Sequence, residues 1–227
     1  LRLVARVFDG QLQCPLLGVG GVGSYALEAL ARSGVGKFDL IDNDTVSVSN
    51  LNRQIIATVD TIGKPKVEVM RDRILSINPK AKVNIRQSFF LPEKKEEYDF
   101  REYAYVVDAV DTVAAKIAII ELAQKKDLPV ISCMGTGNRL DASALRVMDI
   151  SKTSNCGLAR VMRKELRERG IRHLKVVFSP EQPAATTQSE TPPPGRRSVP
   201  ASVAWVPSCA GLMMAGAVIQ DLINEKE

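Results

Sequence analysis

A chain of 227 residues with 45% hydrophobic and 25% charged residues is long enough to bury a real core, as one domain or one domain with an appendage. Its 31 basic against 26 acidic side chains leave a formal charge of +5, mildly favourable to a polyanionic partner without being an argument for one. Four cysteines (Cys14, Cys133, Cys156, Cys209) are too scattered for a disulfide framework or a paired zinc motif, and no apolar run reads as a membrane span or signal peptide, so a protein of the reducing cytoplasm, away from membranes, is expected.

Residues 16–54 read LLGVGGVGSYALEALARSGVGKFDLIDNDTVSVSNLNRQ. Gly18, Gly20 and Gly23 form G-x-G-x-x-G, with Gly21 inside it, between an apolar run and an amphipathic segment. That is the setting in which backbone amides and a helix N-terminus hold phosphate oxygens. Asp42 ends the next apolar run, 38–41, where a strand end would offer its carboxylate to a ribose hydroxyl. To this point NAD and ATP fit equally well. The residues that follow, Asp44, Asn50, Asn52, Arg53, Gln54 and Lys66, exceed what a dinucleotide site needs and suit a triphosphate with a metal. Arg53 brings a planar fork of donors and Lys66 a movable point charge for phosphate charge that builds up during transfer. Taken singly, each also reads as a solvated surface charge. Asp44 and Asp111 read as oxygen ligands for Mg2+, which usually takes one or two carboxylates plus substrate phosphates and water.

Further along, Val67, Met70, Ile74 and Ile77 recur at helical spacing, and Asn78-Pro79 ends that helix. Apolar runs at 38–41, 83–85, 105–110 and 130–133 alternate with helical patterns, the βαβ rhythm of an α/β, Rossmann-like fold with a mostly parallel sheet and flanking helices. In the helix expected over 111–126, Asp111 reads equally as an N-cap or as an acid of the nucleotide site, and Asp108 as structural. After Met134 comes a loop with Gly135, Gly137, Asn138 and Asp141, then a strand over 144–150, a helix over 156–169 and a strand over 174–178. The proline-rich stretch 179–200 excludes a regular helix or a central strand. A strand over 201–206 and a small-residue apolar helix over 208–224, for the core or a dimer interface, complete the C-terminal α/β extension. The ATP-binding part is thus expected over 1–134, and the extension over 135–227 in the same globular unit.

Arg160, Arg163, Lys164, Arg167, Arg169, Arg172 and Lys175 crowd one segment beside Glu165 and Glu168, and as sequence alone this is a solvated helix face. A cysteine nucleophile is discounted. Cys133 closes an apolar run, Cys14 precedes a proline, and the single histidine, His173, lies among basic residues. Cys156 and Cys209 carry no assigned role.

The run at 18–23, I-D-N-D at 41–44, S-N-L-N-R-Q at 49–54, G-K-P-K at 63–66 and D-A-V-D at 108–111 resemble the adenylating superfamily of ubiquitin-activating enzymes. That superfamily includes the sulfur-carrier adenylyltransferases of thiamine and molybdopterin synthesis. Within it, M-G-T-G-N-R-L-D at 134–141, D-I-S-K-T-S at 149–154 and L-A-R-V-M-R-K-E-L-R at 158–167 look most similar to the bacterial tRNA threonylcarbamoyladenosine dehydratases.

The resemblance implies an ATP-dependent closure of the modified adenosine of tRNA through an acyl-adenylate, with Arg53, Lys66 and Asp111 in the chemistry. It implies tRNA as substrate, a homodimer, and sulfur-relay proteins as a further class of partner. It also turns Arg160, Arg163, Lys164 and Arg167 into an expected tRNA-backbone surface, whose binding would fall steeply with salt. Two alternatives accompany it: adenylation of the C-terminus of a ubiquitin-like sulfur carrier, and a nucleotide-binding homologue with impaired chemistry. One departure motivates the last. Residues 1–13 do not match the family's arginine-bearing helical start, neither Arg2 nor Arg6 being a clear substitute, and Pro15 removes a ladder donor where the first central strand should run. An altered or truncated start is therefore expected.

Overall fold

The computed structural model describes residues 13–90, 93, 98, 103–185 and 200–224, so Arg2 and Arg6 lie outside the described residues. Strands β1 (Gln13–Leu17), β2 (Lys37–Ile41), β3 (Lys82–Arg86), β4 (Val106–Asp108), β5 (Val130–Cys133), β6 (Arg146–Asp149) and β7 (Lys175–Phe178) form one sheet in the order β3-β2-β1-β4-β5-β7-β6. Every pairing is parallel except β6 with β7. Among the described residues the sheet is flanked by helices α1 (Gly23–Arg32), α2 (Lys66–Ile77), α3 (Val113–Lys125), α4 (Gly157–Glu168) and α5 (Trp205–Asn224). This is the Rossmann-like arrangement that the alternating pattern predicts.

Strand alternation sorts side chains to the two faces. Leu16, Leu40 and Val107 pack with Leu27 and Leu30 of α1, Met70 and Ile74 of α2, and Met214 and Val218 of α5. Leu17, Ile41 and Val106 point the other way, onto Ala118, Ile119 and Leu122 of α3. Beside them α4 buries Ala159, Met162 and Leu166 against Ile117, Ile120, Val176 and Phe178. Each fully buried aliphatic side chain contributes about 1.5–3 kcal/mol relative to exposure.

The strand at 105–110 is shorter than its apolar run, because β4 ends at Asp108, whose Oδ1 turns back to accept the Val110 N–H at 3.1 Å. α3 begins at Val113, two residues later than expected, with Thr112 at the cap position, so the N-cap reading of Asp111 is corrected. The strand expected over 201–206 is absent; these residues are irregular until Trp205 opens α5. Pro207 is tolerated there because the first turn of a helix has no partner for its N–H groups.

The small-residue apolar helix expected over 208–224 forms as α5, which begins at Trp205. By length and composition alone α5 is apolar enough to cross a membrane. Val206, Ala210, Met214 and Val218 are nonetheless fully buried in the fold, so the helix uses its apolar character as core. Its backbone rides directly on α1, where a Cβ on Gly211 would lie 2.2 Å from the Val22 carbonyl oxygen.

The first strand forms despite Pro15. The Gln13 and Leu17 carbonyls accept from Ala104 N–H and Ala109 N–H, on the β4 side. Pro15, of the same parity, therefore directs its missing donor toward β4, whose pairing with β1 begins only at Leu16. The expectation of an altered first strand is corrected at that point.

Candidate functional site

The strand order places the topological switch between β1 and β4, and the loops at the C-terminal ends of β1, β2 and β4 converge there. The glycines divide the work. Gly18 has φ +93°, and a Cβ on it would sit 2.6 Å from the Ala109 carbonyl oxygen, so only glycine makes this turn. On Gly23 a Cβ would lie 1.9 Å from the Gly18 carbonyl oxygen, which brings α1 close against the turn. Gly20 meets only Gln54 Nε2, at 4.0 Å, and so leaves room above the loop. α1 starts without a side-chain cap, its first amides directed to the same edge.

Asp42, just past β2, is pinned by two backbone donors: Val19 N–H to Oδ2 at 2.6 Å and Asp44 N–H to Oδ1 at 2.8 Å. Burial pushes its carboxyl above the ordinary value, against the opposing pull of the Asp44 amide, the Lys66 charge and the Val19 amide. The chain then forms a clip. Thr45 bridges Pro65, and Lys66 N–H bonds the Asp44 carbonyl at 3.0 Å, setting the first residue of α2 beside Asp44. Lys66 is 4% exposed, and its Nζ donates to Asp44 Oδ2 at 2.7 Å.

The segment 47–54 makes a second wall. Asn50 is buried, and its Oδ1 accepts from Ser47 N–H at 3.1 Å in a capping box, so its side chain shapes the turn. Arg53 lays its stem on Gly21, a Cβ there being 3.3 Å from Arg53 Cγ, and its Nη1 donates to the Ser49 carbonyl at 2.8 Å and Asn52 Oδ1 at 2.9 Å. Asn52 Nδ2 reaches the Ser202 carbonyl at 2.9 Å. Gln54 is buried under Gly20, with Oε1 lacking a hydrogen-bond partner among the described residues. A buried, unmet polar atom below an open glycine turn suits a polar ligand. Asp111 is exposed in the loop after β4.

The region past Met134 is sewn to this wall. Asn138, at φ +58°, donates its N–H to the Ala201 carbonyl at 2.8 Å and accepts the Ala201 N–H on Oδ1 at 2.7 Å. The Glu181 carboxylate accepts the N–H groups of Leu140 and Asp141. Sequence reasoning missed Glu181, Lys116 and Ser132. Only Lys116 left a signal, as a lone charge within the apolar helix stretch VAAKIAII.

The basic segment separates into two kinds of residue. Arg160, Lys164 and Arg167 are exposed on α4, Lys164 within 4.0 Å of Glu168. Arg163 turns inward, its Nη1 bonding the Thr153 carbonyl at 2.9 Å and also Thr153 Oγ1. The four residues grouped by sequence are thus three on the surface and one stapling α4 to the turn at 150–153. A cavity of about 570 Å³ beside Arg163 and Arg167 extends the basic face to Arg172 and His173. Cys14, Cys133 and Cys156 are buried, and burial pushes the first two thiols up to about 12, unlike a reactive thiolate.

A glycine turn, a pinned acid, a buried lysine and an arginine thus meet on one sheet edge. A Bacillus subtilis tRNA threonylcarbamoyladenosine dehydratase is 42% identical over 221 residues, 93% of this chain and 87% of that protein. The Escherichia coli dehydratase is 41% identical over 152 residues, 67% of this chain and 57% of that protein. Among solved structures, the E. coli enzyme in complex with AMP superposes with a TM-score of 0.88 at 30% identity, covering 99% of this chain and 90% of that one. Its complex with ATP gives 0.87 at 31% identity. The family model described as the ThiF family matches residues 10–227, and the chain belongs to that family.

Proposed function

We propose that this protein is an ATP-dependent tRNA threonylcarbamoyladenosine dehydratase. One observation carries the reading: the Gly18 turn, Asp42, the Lys66–Asp44 pair and Arg53 converge on the switch edge of a chain that aligns over 93% of its length with a dehydratase. The molybdopterin-synthase adenylyltransferase of Porphyra purpurea, 39% identical, aligns over only 50% of the chain, which favours the tRNA substrate over a carrier protein.

In the proposed reaction the threonyl carboxylate of the modified adenosine attacks the α-phosphorus of ATP, an acyl-adenylate forms and pyrophosphate leaves. The neighbouring carbamoyl group then attacks the activated carbonyl and AMP departs, so the nucleoside loses one water while ATP becomes AMP and pyrophosphate. Holding both partners in one molecule favours the second step. Gly20 makes room for the phosphates, Asp42 accepts from the ribose, and Arg53 and Lys66 stabilise charge on the phosphates. Asp44 and Asp111 are the carboxylates that would hold a magnesium ion, which would supply positive charge against the triphosphate.

The exposed Arg160, Lys164 and Arg167, with Arg172 beside them, form the proposed contact to the tRNA backbone, in the cytoplasm where tRNA resides. Val48, Leu51, Val59 and Ile62 are exposed apolar residues around the nucleotide wall and support a homodimer. The deciding experiment is nucleoside mass spectrometry of threonylcarbamoyladenosine-bearing tRNA after incubation with protein, ATP and magnesium. Loss of one water only when ATP is present is expected; an unchanged nucleoside overturns the reading.

A further inference from the structure

Behind the nucleotide edge lies a charged cluster entirely out of solvent. Asp108, Lys116 and Ser132 are each 0% exposed. Lys116 Nζ donates to Asp108 Oδ2 at 3.0 Å and to Ser132 Oγ at 3.1 Å, and Ser132 Oγ donates to the same Asp108 oxygen at 2.5 Å. Three elements meet in it: the last residue of β4, the middle of β5 and the first turn of α3. A buried ion pair is weak evidence for stability, because apolar residues of similar volume often serve as well or better. Packing alone therefore does not account for a lysine and an aspartate here.

Their geometry supplies another reason. The second oxygen of Asp108 holds the Val110 N–H at 3.1 Å, while Ala109 N–H bonds the Leu17 carbonyl at 2.8 Å. The loop 109–112 is thus gripped between the cluster and the end of β1. Its Ala109 carbonyl oxygen would lie only 2.6 Å from a Cβ on Gly18, so the loop passes close over the glycine turn. An apolar pair could fill the space but could not accept the Val110 N–H, whereas the charged arrangement fixes both the volume and the loop.

We propose that Lys116, Ser132 and Asp108 are positioning residues for the reaction, holding the loop that carries Asp111 in register with the Gly18 turn. The kinetic part rests on the adenylation reading above. Asp108→Leu/Lys116→Met replaces the pair by apolar side chains; its melting temperature should stay at or above that of the parent. Amide exchange of residues 109–112, followed by mass spectrometry, should quicken at least tenfold. With threonylcarbamoyladenosine-bearing tRNA, kcat for AMP formation should fall about 100-fold with KM for ATP within threefold.

Ser132→Ala, which removes one strut and no charge, should show the same split at about fivefold in kcat, and it decides the matter if the double variant does not fold. Unchanged exchange at 109–112 together with kcat within twofold in a folded variant overturns the proposal. If the parent forms no AMP, the adenylation reading fails, and the exchange measurement still decides whether the cluster holds the loop.

Discussion

Lys66 Nζ sits 2.7 Å from Asp44 Oδ2, the lysine side chain 5% and the aspartate 58% exposed. A nearly buried cation is thereby held at the surface by an acid that water reaches. An arriving triphosphate offers that cation a stronger partner. Lys66→Met, which keeps the stem and removes the charge, should lower the rate of AMP formation by about 100- to 1000-fold, the scale of one lost electrostatic contact to the reacting group. Quench-flow measurement of AMP checks it, and a rate within threefold of the parent removes Lys66 from the site.

The glycines predict opposite outcomes for one added methyl. Gly23→Ala puts a Cβ 1.9 Å from the Gly18 carbonyl oxygen and should destabilise the fold by about 2–3 kcal/mol, read in urea unfolding. Gly20→Ala meets no protein atom nearer than 4.0 Å and should leave stability within about 1 kcal/mol while weakening ATP binding about tenfold or more. Equal ATP affinity in Gly20→Ala would move the phosphates elsewhere.

Burial pushes the Asp42 carboxyl above its ordinary 3.8. A raised folded value means that the native chain takes up the proton at a higher pH than the unfolded chain. Protonation thus favours folding below that range, and the contribution is lost as pH rises through the folded value. In the proposed role ATP binding uses the opposite form, the carboxylate that would accept from the ribose. Affinity should therefore decline on acidification from above pH 3.8, and Asp42→Asn should be weaker throughout and lack that step. Titration of the phosphates is common to both proteins, so the difference between their calorimetric pH profiles isolates Asp42; parallel profiles would exclude it.

On α4 the arginines should part company. Arg160→Glu/Arg167→Glu should weaken tRNA binding, reduce the slope of log affinity against log salt by about 2, and leave ATP affinity unchanged. Arg163→Ala removes bonds to the Thr153 carbonyl and hydroxyl and should instead cost about 1–3 kcal/mol of stability. Filter binding across a salt series and thermal melts separate the two. An unaltered slope returns α4 to a solvated face.

The parts of the site legible in the sequence are those set by neighbours along the chain. A strand at 38–41 ending on Asp42 and a helix at 156–169 emerge within a residue of β2 and α4, because periodicity and end signals are local. What the sequence hid depends on distant partners. Ser132 meets an aspartate 24 residues away, and Glu181 caps amides some 40 residues away. Arg163 looked like its neighbours because helical spacing alone does not show the turn at 150–153 beside it. Residues 201–206 carry Val203, Trp205 and Val206, types common in strands, yet no strand among the described residues pairs them, and Trp205 opens a helix instead.

Gly211 brings α5 onto the first turn of α1, next to the Val22 carbonyl. The phosphate turn near the beginning of the chain is therefore backed by a helix formed from residues 205–224. As the chain leaves the ribosome, β1, β2 and α2 can back this motif early, but the helix that covers it on the α5 side follows only nearly two hundred residues later. The backing of that turn by α5 is accordingly completed only after residues 205–224 have been made, so the order of synthesis and the order of assembly differ here.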